Sequence, residues 1–182
     1  MCGIAGCFGI RDEKTINRML DAMGHRGPND RGVHSGDNYT VGHTRLSIVD
    51  VATGHQPILT DSGRKGIIAN GEIYNFKKLR PALTQKYHFQ TKSDSEVVLH
   101  LYQEKGPACV KELDGMFALA IFSNDTVMLA RDPIGIKPLY YGFKNDRLYF
   151  TSELGAMSFA GLDEVHEFPA GLDAKCGLCH SQ

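Results

Sequence analysis

Residues 2–10, Cys2-Gly3-Ile4-Ala5-Gly6-Cys7-Phe8-Gly9-Ile10, are all small or apolar. Alternate side chains of a strand point to opposite faces of its sheet, and here both sets of side chains are small or apolar. A strand of this kind is typical of a sheet that is buried on both sides. We therefore predict that residues 3–10 form a strand covered by other elements on both faces.

Cys2, directly before this strand, is the candidate nucleophile. Cysteine attacks as the thiolate, and because a free thiol has a pKa of about 8.5 it needs a base. Methionine before a small residue is commonly removed, which would free the α-amine of Cys2 to accept the thiol proton. Position alone would favour an ordinary small residue near a chain end, where chains usually fray. The buried strand favours the nucleophile, because it would hold Cys2 in place.

Composition excludes several classes of function. The chain has 182 residues, 42% of them hydrophobic, and a net charge of -1, which indicates one domain with a sizeable core. Without a basic excess we expect no nucleic-acid partner, and without a long apolar run we expect no membrane partner. The apolar N-terminal run lacks a basic leader and ends at Arg11, so we expect no export and a cytoplasmic location. The five cysteines, an odd number, argue against a disulfide framework.

The remaining pattern predicts a helix followed by several strands. Ile16, Met19, Leu20 and Met23 have helical spacing, and Gly24 is a plausible stop. Alternation and turn residues predict strands over residues 31–35, 39–46, 66–70, 72–74, 115–123, 126–131, 139–143 and 147–151.

Two further helices are predicted between these strands. Asn75 can cap a helix over residues 76–86, which Pro81 should kink or shorten. Ser93 and Glu96 have the spacing of a capping box, and they open a helix that Gly106 ends. Blocks of strands with helices between them indicate a layered α+β fold.

Several motifs occur in an order that points to a known family. They are Cys2-Gly3-Ile4-Ala5-Gly6, His25-Arg26-Gly27-Pro28, Gly42-His43-Thr44-Arg45-Leu46-Ser47-Ile48-Val49-Asp50, Asn70-Gly71-Glu72-Ile73-Tyr74-Asn75, Ser93-Asp94-Ser95-Glu96 and Arg131-Asp132-Pro133-Ile134-Gly135-Ile136-Lys137-Pro138-Leu139-Tyr140-Tyr141-Gly142. The sequence resembles the N-terminal glutaminase domain of glutamine-dependent asparagine synthetases, which is a class II glutamine amidotransferase of the N-terminal-nucleophile hydrolase group. The resemblance covers residues 2–171 in order, so it is specific. It implies that the α+β fold is a four-layer α/β/β/α sandwich with two mainly antiparallel sheets.

The resemblance also implies the catalytic residues. Cys2 would attack the side-chain amide carbon of L-glutamine and release ammonia, and water would then hydrolyse the thioester to glutamate. The side-chain amide of Asn70 and the backbone N–H of Gly71 would stabilise the negatively charged oxygen of the intermediates. From the residues alone, Asn70-Gly71 is also a strong signal for a hairpin turn, and both interpretations can hold together.

A second group of residues is implied to bind the two ends of the amino-acid backbone of glutamine. Arg45 would hold the α-carboxylate, with backbone contacts from Ile48 and Val49. Glu72 and Asp94 would accept hydrogen bonds from the α-ammonium group. Each residue also has a plainer interpretation. Arg45 would be a solvated arginine at a strand end, Glu72 an exposed carboxylate on a strand, and Asp94 an acid that is favoured in the first turn of a helix. One cation and two anions suit a zwitterionic substrate, which favours the binding role.

The resemblance further implies the domain boundary and the partners. Residues 1–171 would form the glutaminase domain, and residues 172–182 would form a flexible tail. The sequence lacks the phosphate-binding loop of the synthetase domain, so this chain alone should neither bind ATP nor make asparagine. The ammonia acceptor would be an ATP-dependent synthetase domain or subunit outside this chain. The chain would then be either a stand-alone glutaminase or a shortened product.

No cofactor and no metal ion is expected. Cys176-Gly177-Leu178-Cys179-His180 matches the pattern for covalent c-type haem attachment. Haem attachment generally accompanies export, however, and three clustered ligands leave a zinc shell incomplete. We interpret these cysteines as incidental residues of the tail.

Two other functions stay open at this point. The chain could act on a different amide, because one fold supports several substrates. It could also be a non-catalytic regulatory or interaction module, which a retained Met1 would favour because the base would be lost to a peptide bond.

The motif that begins at His25 predicts a loop near the site, and His43 is interpreted as structural.

Overall fold

A computed structural model describes residues 1–46 and 53–177, with side chains up to residue 174. The helices in this part of the chain are α1 (Glu13–Ala22), α2 (Phe76–Leu83), α3 (Asp94–Lys105) and α4 (Leu154–Met157). The strands are β1 (Gly3–Phe8), β2 (Asp30–Ser35), β3 (Tyr39–Arg45), β4 (Ile58–Leu59), β5 (Gly66–Ile73), β6 (Gly115–Phe122), β7 (Thr126–Arg131), β8 (Tyr140–Lys144), β9 (Arg147–Thr151), β10 (His166–Glu167) and β11 (Asp173–Gly177). No helix in the described part of the chain is long and apolar enough to cross a membrane.

Within the described residues the strands form two antiparallel sheets. The first has the order β10-β8-β9-β1-β3-β2, and the second has the order β11-β7-β6-β5-β4. Side chains from both sheets, such as Ile4, Phe150, Ile68 and Phe122, pack together in one buried cluster between them. Because inner faces of both sheets contribute to the same core, the sheets lie face to face.

The helices cover the outer faces of this sandwich. α1 and α4 pack on the first sheet, in a cluster that includes Ala5, Cys7 and Leu20. α3 packs on the second sheet, in a cluster that includes Val97 and Leu119. The predicted α+β fold with four layers is therefore confirmed.

The first strand is buried on both faces, as its sequence predicts. Every residue of β1 is buried, and the strand pairs with β3 on one side and β9 on the other. It ends at Phe8 rather than at residue 10, because Gly9 has a φ of +86° and turns the chain away. Small residues are needed here, since a Cβ on Gly6 would lie 2.3 Å from the ring of Phe150.

The hairpin turn considered for Asn70-Gly71 is wrong. Residues 66–73 form one continuous strand rather than two, and Gly71 pairs with Phe117 in β6. A Cβ at Gly71 would lie 2.1 Å from the backbone oxygen of Met116, so glycine is required by the close approach of the partner strand. The Asn-Gly signal was misleading because β6 continues past this point and leaves no room for a turn.

The helix that follows differs from its prediction in two ways. α2 has eight residues and ends at Leu83, two residues after Pro81 and earlier than predicted. Asn75 makes no side-chain capping bond, because its amide binds the backbone of Glu112 at 2.7 Å and Asp114 at 3.1 Å. Ser93 does cap α3, since its hydroxyl accepts the N–H of Ser95 at 3.2 Å. The predicted capping box is not formed, because the Glu96 carboxylate accepts the N–H groups of Gln90 and Thr91 and the N–H of Ser93 donates to the Thr91 hydroxyl.

The predicted tail contains a strand. β11 pairs antiparallel with β7, with Asp173 opposite Ala130. Asp173 and Ala174 are exposed, so this edge strand has no apolar alternation by which its sequence could be recognised. The domain boundary at residue 171 and the flexibility of the tail stay predictions. Cys179 and His180 lie outside the described residues, as does the side chain of Cys176.

Candidate functional site

A cavity of about 270 Å³ opens where β1, β3 and β5 meet the start of α3. Six of the residues predicted for the site line it together: Cys2, Arg45, Asn70, Gly71, Glu72 and Asp94. The volume is slightly below the range of about 300–1,000 Å³ that is usual for drug-sized ligands, so the cavity suits a small one. The other two predicted residues, Ile48 and Val49, lie outside the described residues.

Cys2 directly precedes β1, an interior strand of the first sheet, and bonds from two neighbours hold it there. Its sulfur accepts the N–H of Leu46 at 3.4 Å and contacts the Leu46 carbonyl oxygen at 3.7 Å. The guanidinium Nε of Arg26 donates to the Cys2 carbonyl oxygen at 2.9 Å. These contacts fix a half-buried cysteine that lines the cavity.

Two other thiols in the described part of the chain have a different environment. Cys7 and Cys109 are fully buried, and burial raises the pKa of Cys7 to about 11 and that of Cys109 to about 12. A thiol that stays protonated and has no access to solvent is a poor nucleophile. Cys2 is therefore the reactive candidate among these three.

Arg26, which binds Cys2, belongs to a small charged cluster beside the cavity. Its Nη1 donates to Glu153 at 3.0 Å, and His25 contacts the same carboxylate oxygen at 2.9 Å. Burial raises the pKa of Glu153, but the hydrogen bonds from Arg26 and His25 outweigh it and leave the pKa below its ordinary value. The motif that begins at His25 does form a loop next to the site, and it supports the backbone of Cys2.

Asn70 and Gly71 lie in the middle of β5, where it passes beneath the cavity. The Asn70 side chain is 1% exposed, and its Nδ2 has no hydrogen-bond partner among the described residues. A buried donor of this kind is costly, and it commonly marks a place where a ligand completes the bonding. Because Asn70 also lines the cavity, its amide is the candidate donor to a ligand there.

The charged residues predicted to bind glutamine reach the cavity from three elements, β3, β5 and α3. Arg45 ends β3 and is 4% exposed, so its interpretation as a solvated strand-end arginine is wrong. Asp94 begins α3, where its Oδ2 accepts the N–H of Ile73 at 2.7 Å and its Oδ1 that of Ser95 at 2.9 Å. The favourable position in the first turn of the helix thus coexists with a place in the cavity wall. Glu72 is half-buried beside it.

Sequence reasoning missed four polar residues of the cavity, of which Ser93 and Ser95 flank the predicted Asp94. Gln56 and Lys137 both line it and are each 8% exposed. Gln56 precedes a short strand of two residues, which is too short to have a recognisable period. Lys137 lies in a motif that is explained equally well by turn chemistry, so neither residue carried a signal of its own.

His43 lies in the core, as its structural interpretation requires. It is 1% exposed, and its Nε2 donates to the carbonyl oxygen of Ala69 at 3.1 Å, which joins β3 to β5 across the two sheets. Burial lowers the pKa of His43 from 6.5 to about 4, so the ring is neutral near pH 7.

This burial predicts a loss of stability in mild acid. Between pH 6.5 and about 4 the unfolded chain binds a proton at residue 43 that the folded chain does not, so the free energy of unfolding falls as the pH falls. We expect His43 to account for a loss of roughly 2–3 kcal/mol between pH 7 and pH 4.5. Urea unfolding at both pH values would measure it, with His43→Gln as a control that keeps a donor but does not titrate. Equal losses in the two proteins would contradict this assignment.

Comparisons with known proteins agree with the geometry of the cavity. Residues 1–172 match the family described as the glutamine amidotransferase domain. Asparagine synthetase B [glutamine-hydrolyzing] of Escherichia coli (strain K12) is 42% identical over 179 residues, which cover 94% of this chain and 32% of that protein. Asparagine synthetase [glutamine-hydrolyzing] 1 of Bacillus subtilis (strain 168) is 42% identical over 173 residues, or 90% of this chain and 27% of that protein. The chain thus spans about a third of the length of these relatives.

Two solved structures have folds similar to that of this chain. Glutamine phosphoribosylpyrophosphate amidotransferase from B. subtilis, complexed with ADP and GMP, superposes with a TM-score of 0.82 at 23% identity. The match covers 97% of this chain and 47% of that one. A structure described as the allosteric regulatory enzyme of purine biosynthesis gives a TM-score of 0.85 at 22% identity, with the same coverage. At such low identity these two matches speak for the fold alone.

Proposed function

Because the chain belongs to the glutamine amidotransferase domain family, we propose that it hydrolyses L-glutamine to L-glutamate and ammonia. One observation carries the proposal: a thiol, an unpartnered amide donor, two cations (Arg45 and Lys137) and two carboxylates line a single cavity. The experiment that tests it is glutamate release from glutamine by the wild type and by Cys2→Ala. Equal rates for the two proteins would contradict it.

The first half of the reaction forms a thioester on Cys2. Cleavage of the Met1–Cys2 peptide bond frees the α-amine, which takes the thiol proton, and the sulfur attacks the side-chain amide carbon of glutamine. The oxygen of that amide becomes negatively charged and is stabilised by the Asn70 amide and the Gly71 N–H. The proton passes to the nitrogen of the substrate amide, the carbon–nitrogen bond breaks, and ammonia leaves.

The second half returns the enzyme to its starting state. Water, with the Cys2 amine again as the base, attacks the thioester carbon and passes through a second negatively charged intermediate. The same two donors stabilise it, because the oxygen occupies the same position. The carbon–sulfur bond breaks, glutamate leaves, and the thiol regains its proton.

Recognition of glutamine is assigned to the charged walls of the cavity. Arg45 binds the α-carboxylate, while Glu72 and Asp94 accept from the α-ammonium group. Asp94 is already fixed by two backbone N–H groups, so it is ordered before the substrate arrives. Backbone contacts from Ile48 and Val49 complete this proposal.

Replacement of Arg45 should weaken substrate binding far more than catalysis. We expect Arg45→Met to raise KM for glutamine by roughly 10- to 150-fold, the value of a charge-assisted hydrogen bond to a carboxylate. Arg11→Met removes an exposed arginine that pairs only with Glu13 in the described residues, so it should leave KM unchanged. Steady-state kinetics with 4-aminobutyramide, which lacks the α-carboxylate, would check the assignment. If Arg45→Met lost equal activity on both amides, another role for Arg45 would be needed.

The ammonia acceptor is proposed to be an ATP-dependent synthetase domain or subunit, with asparagine as its product and the cytoplasm as its location. Relatives named as glutamine-hydrolysing asparagine synthetases extend well beyond the matched region, which supports a second activity there. The loop after β7 offers a surface for such a partner, because Ile134 and Ile136 are 80% and 53% exposed. The Asp132 carboxylate accepts the N–H groups of both isoleucines and holds the loop in shape.

A further inference from the structure

The peptide before Asn70 is held from two directions by side chains, Gln56 and His43, that have no role in the proposed reaction so far. Gln56 binds both backbone groups of Ala69: its Oε1 accepts the Ala69 N–H at 2.6 Å, and its Nε2 donates to the Ala69 carbonyl at 3.3 Å. His43 donates to the same carbonyl at 3.1 Å from the other sheet. The carbonyl of Ala69 belongs to the peptide that links it to Asn70, so these bonds fix the orientation of that peptide.

The Gln56 side chain can bond to Ala69 because the backbone pairing of β4 with β5 ends before residue 56. β4 pairs with β5 through Ile58 opposite Ile67 and Leu59 opposite Gly66. Extending this register by two residues places Gln56 opposite Ala69, where the side-chain amide of Gln56 supplies the donor and the acceptor. The pair of hydrogen bonds next to the cavity is thus made by the Gln56 side chain and not by the backbone of β4.

The backbone of Gln56 also lies close against the opposite sheet. Its backbone oxygen passes so close to Gly32 in β2 that a Cβ there would lie 1.9 Å from it. Gln56 is 8% exposed and lines the cavity, so its amide works in a region with little water. Hydrogen bonds in such surroundings are stronger than those at the surface.

We propose that Gln56 and His43 are positioning residues, which act through the Ala69 peptide to aim the donors that follow it in β5. The unpartnered Nδ2 of Asn70 is one of these donors, and the N–H of Gly71 is the other. Donors of this kind stabilise a developing charge only if they are aligned before it forms. The effect on rate rests on the proposed glutaminase activity, whereas the effect on the Asn70 side chain rests on the geometry alone.

The kinetic test replaces Gln56 with an apolar residue of similar length. Gln56→Met should lower kcat for glutamine by about 10- to 100-fold, the order of a loss of alignment at a reacting group. KM and the Kd for glutamate should stay within about twofold, because the hydrogen bonds shown for the Gln56 amide go to the backbone of Ala69. His43→Leu should also lower kcat, and His43→Gln, which can still donate to Ala69, should recover most of it. A kcat for Gln56→Met equal to that of the wild type would overturn the proposal.

A second measurement does not depend on turnover. In nuclear magnetic resonance spectra, Gln56→Met should speed hydrogen exchange at the Ala69 N–H about tenfold or more and shift the side-chain NH₂ signals of Asn70. Unchanged Asn70 signals would overturn the proposal. If the wild type proved to have no Cys2-dependent glutaminase activity, the proposed function would fail while these spectra still decided whether Gln56 orders Asn70.

A matched control separates positioning from loss of stability. Thr60 lies on the same hairpin, at the end away from the cavity, where its hydroxyl bonds with Ser62 and Lys65. Thr60→Val removes these bonds without touching Ala69. It should lower the free energy of unfolding but leave kcat and the Asn70 signals unchanged. A fall in kcat for Thr60→Val as large as that for Gln56→Met would overturn the positioning role.

Discussion

Cys2→Ala should release glutamate from glutamine at a rate about 10³-fold or more below that of the wild type. The side chain that forms the thioester is removed, and no other thiol lines the cavity in the described part of the chain. Losses of this size are usual when a nucleophile is deleted, because the remaining groups only orient the substrate. Release of glutamate and of ammonia, measured together, would check that both products disappear.

The Cys2→Ala variant should still bind glutamate. Arg45, Glu72 and Asp94 are untouched, so calorimetry should find the Kd for glutamate within about twofold of the wild-type value. Cys109→Ala is the matched control, since it removes a fully buried thiol whose pKa burial raises to about 12. It should retain wild-type kcat. A Cys2→Ala protein that neither binds glutamate nor folds would be uninformative about chemistry, which is why binding is measured in the same sample.

The fold was predictable where the pattern of side chains reflects burial. β1 has small and apolar residues on both faces because it lies between α1 on one side and the second sheet on the other. The helix over Ile16, Met19 and Leu20 is equally clear, because one face of it meets that sheet. Elements of two residues, such as β4 and β10, have no period and could not be found in this way.

The candidate site residues were named from the resemblance to a known family, and the structure brings Cys2, Arg45, Glu72 and Asp94 to one cavity. Their roles stay predictions, and the partners of these side chains could not be read from the sequence. The bonds from Gln56 to Ala69 depend on where the pairing of β4 with β5 ends and on how close Gly32 lies. Neither can be predicted from the residues next to Gln56 in the sequence. The Asn-Gly pair shows the reverse case, since its local signal for a turn was overridden by the strand that pairs with it.

Blocking the α-amine of Cys2 should also lower the rate of glutamate release strongly. The proposed mechanism uses the α-amine of Cys2 as the base, and a peptide bond to Met1 would remove it because an amide nitrogen does not accept a proton near pH 7. Met1 also lines the cavity, so a retained residue would take up room beside the thiol. A leader peptide joined directly to Cys2 should therefore lower the rate of glutamate release by about 10²-fold or more, the usual contribution of a general base.

Cleavage of that leader should restore the activity. Met1 is 58% exposed, so a leader replacing it would emerge into solvent, where a site-specific protease that cuts before Cys2 can reach it. Glutamate release should rise in step with the fraction of chains whose intact mass shows Cys2 as the first residue. The same leader on a Cys2→Ala chain controls for contaminating glutaminase, because its cleavage should change nothing. Equal rates before and after cleavage of the Cys2 chain would mean that the base lies elsewhere, and the cluster of His25, Arg26 and Glu153 beside Cys2 would be the next place to look.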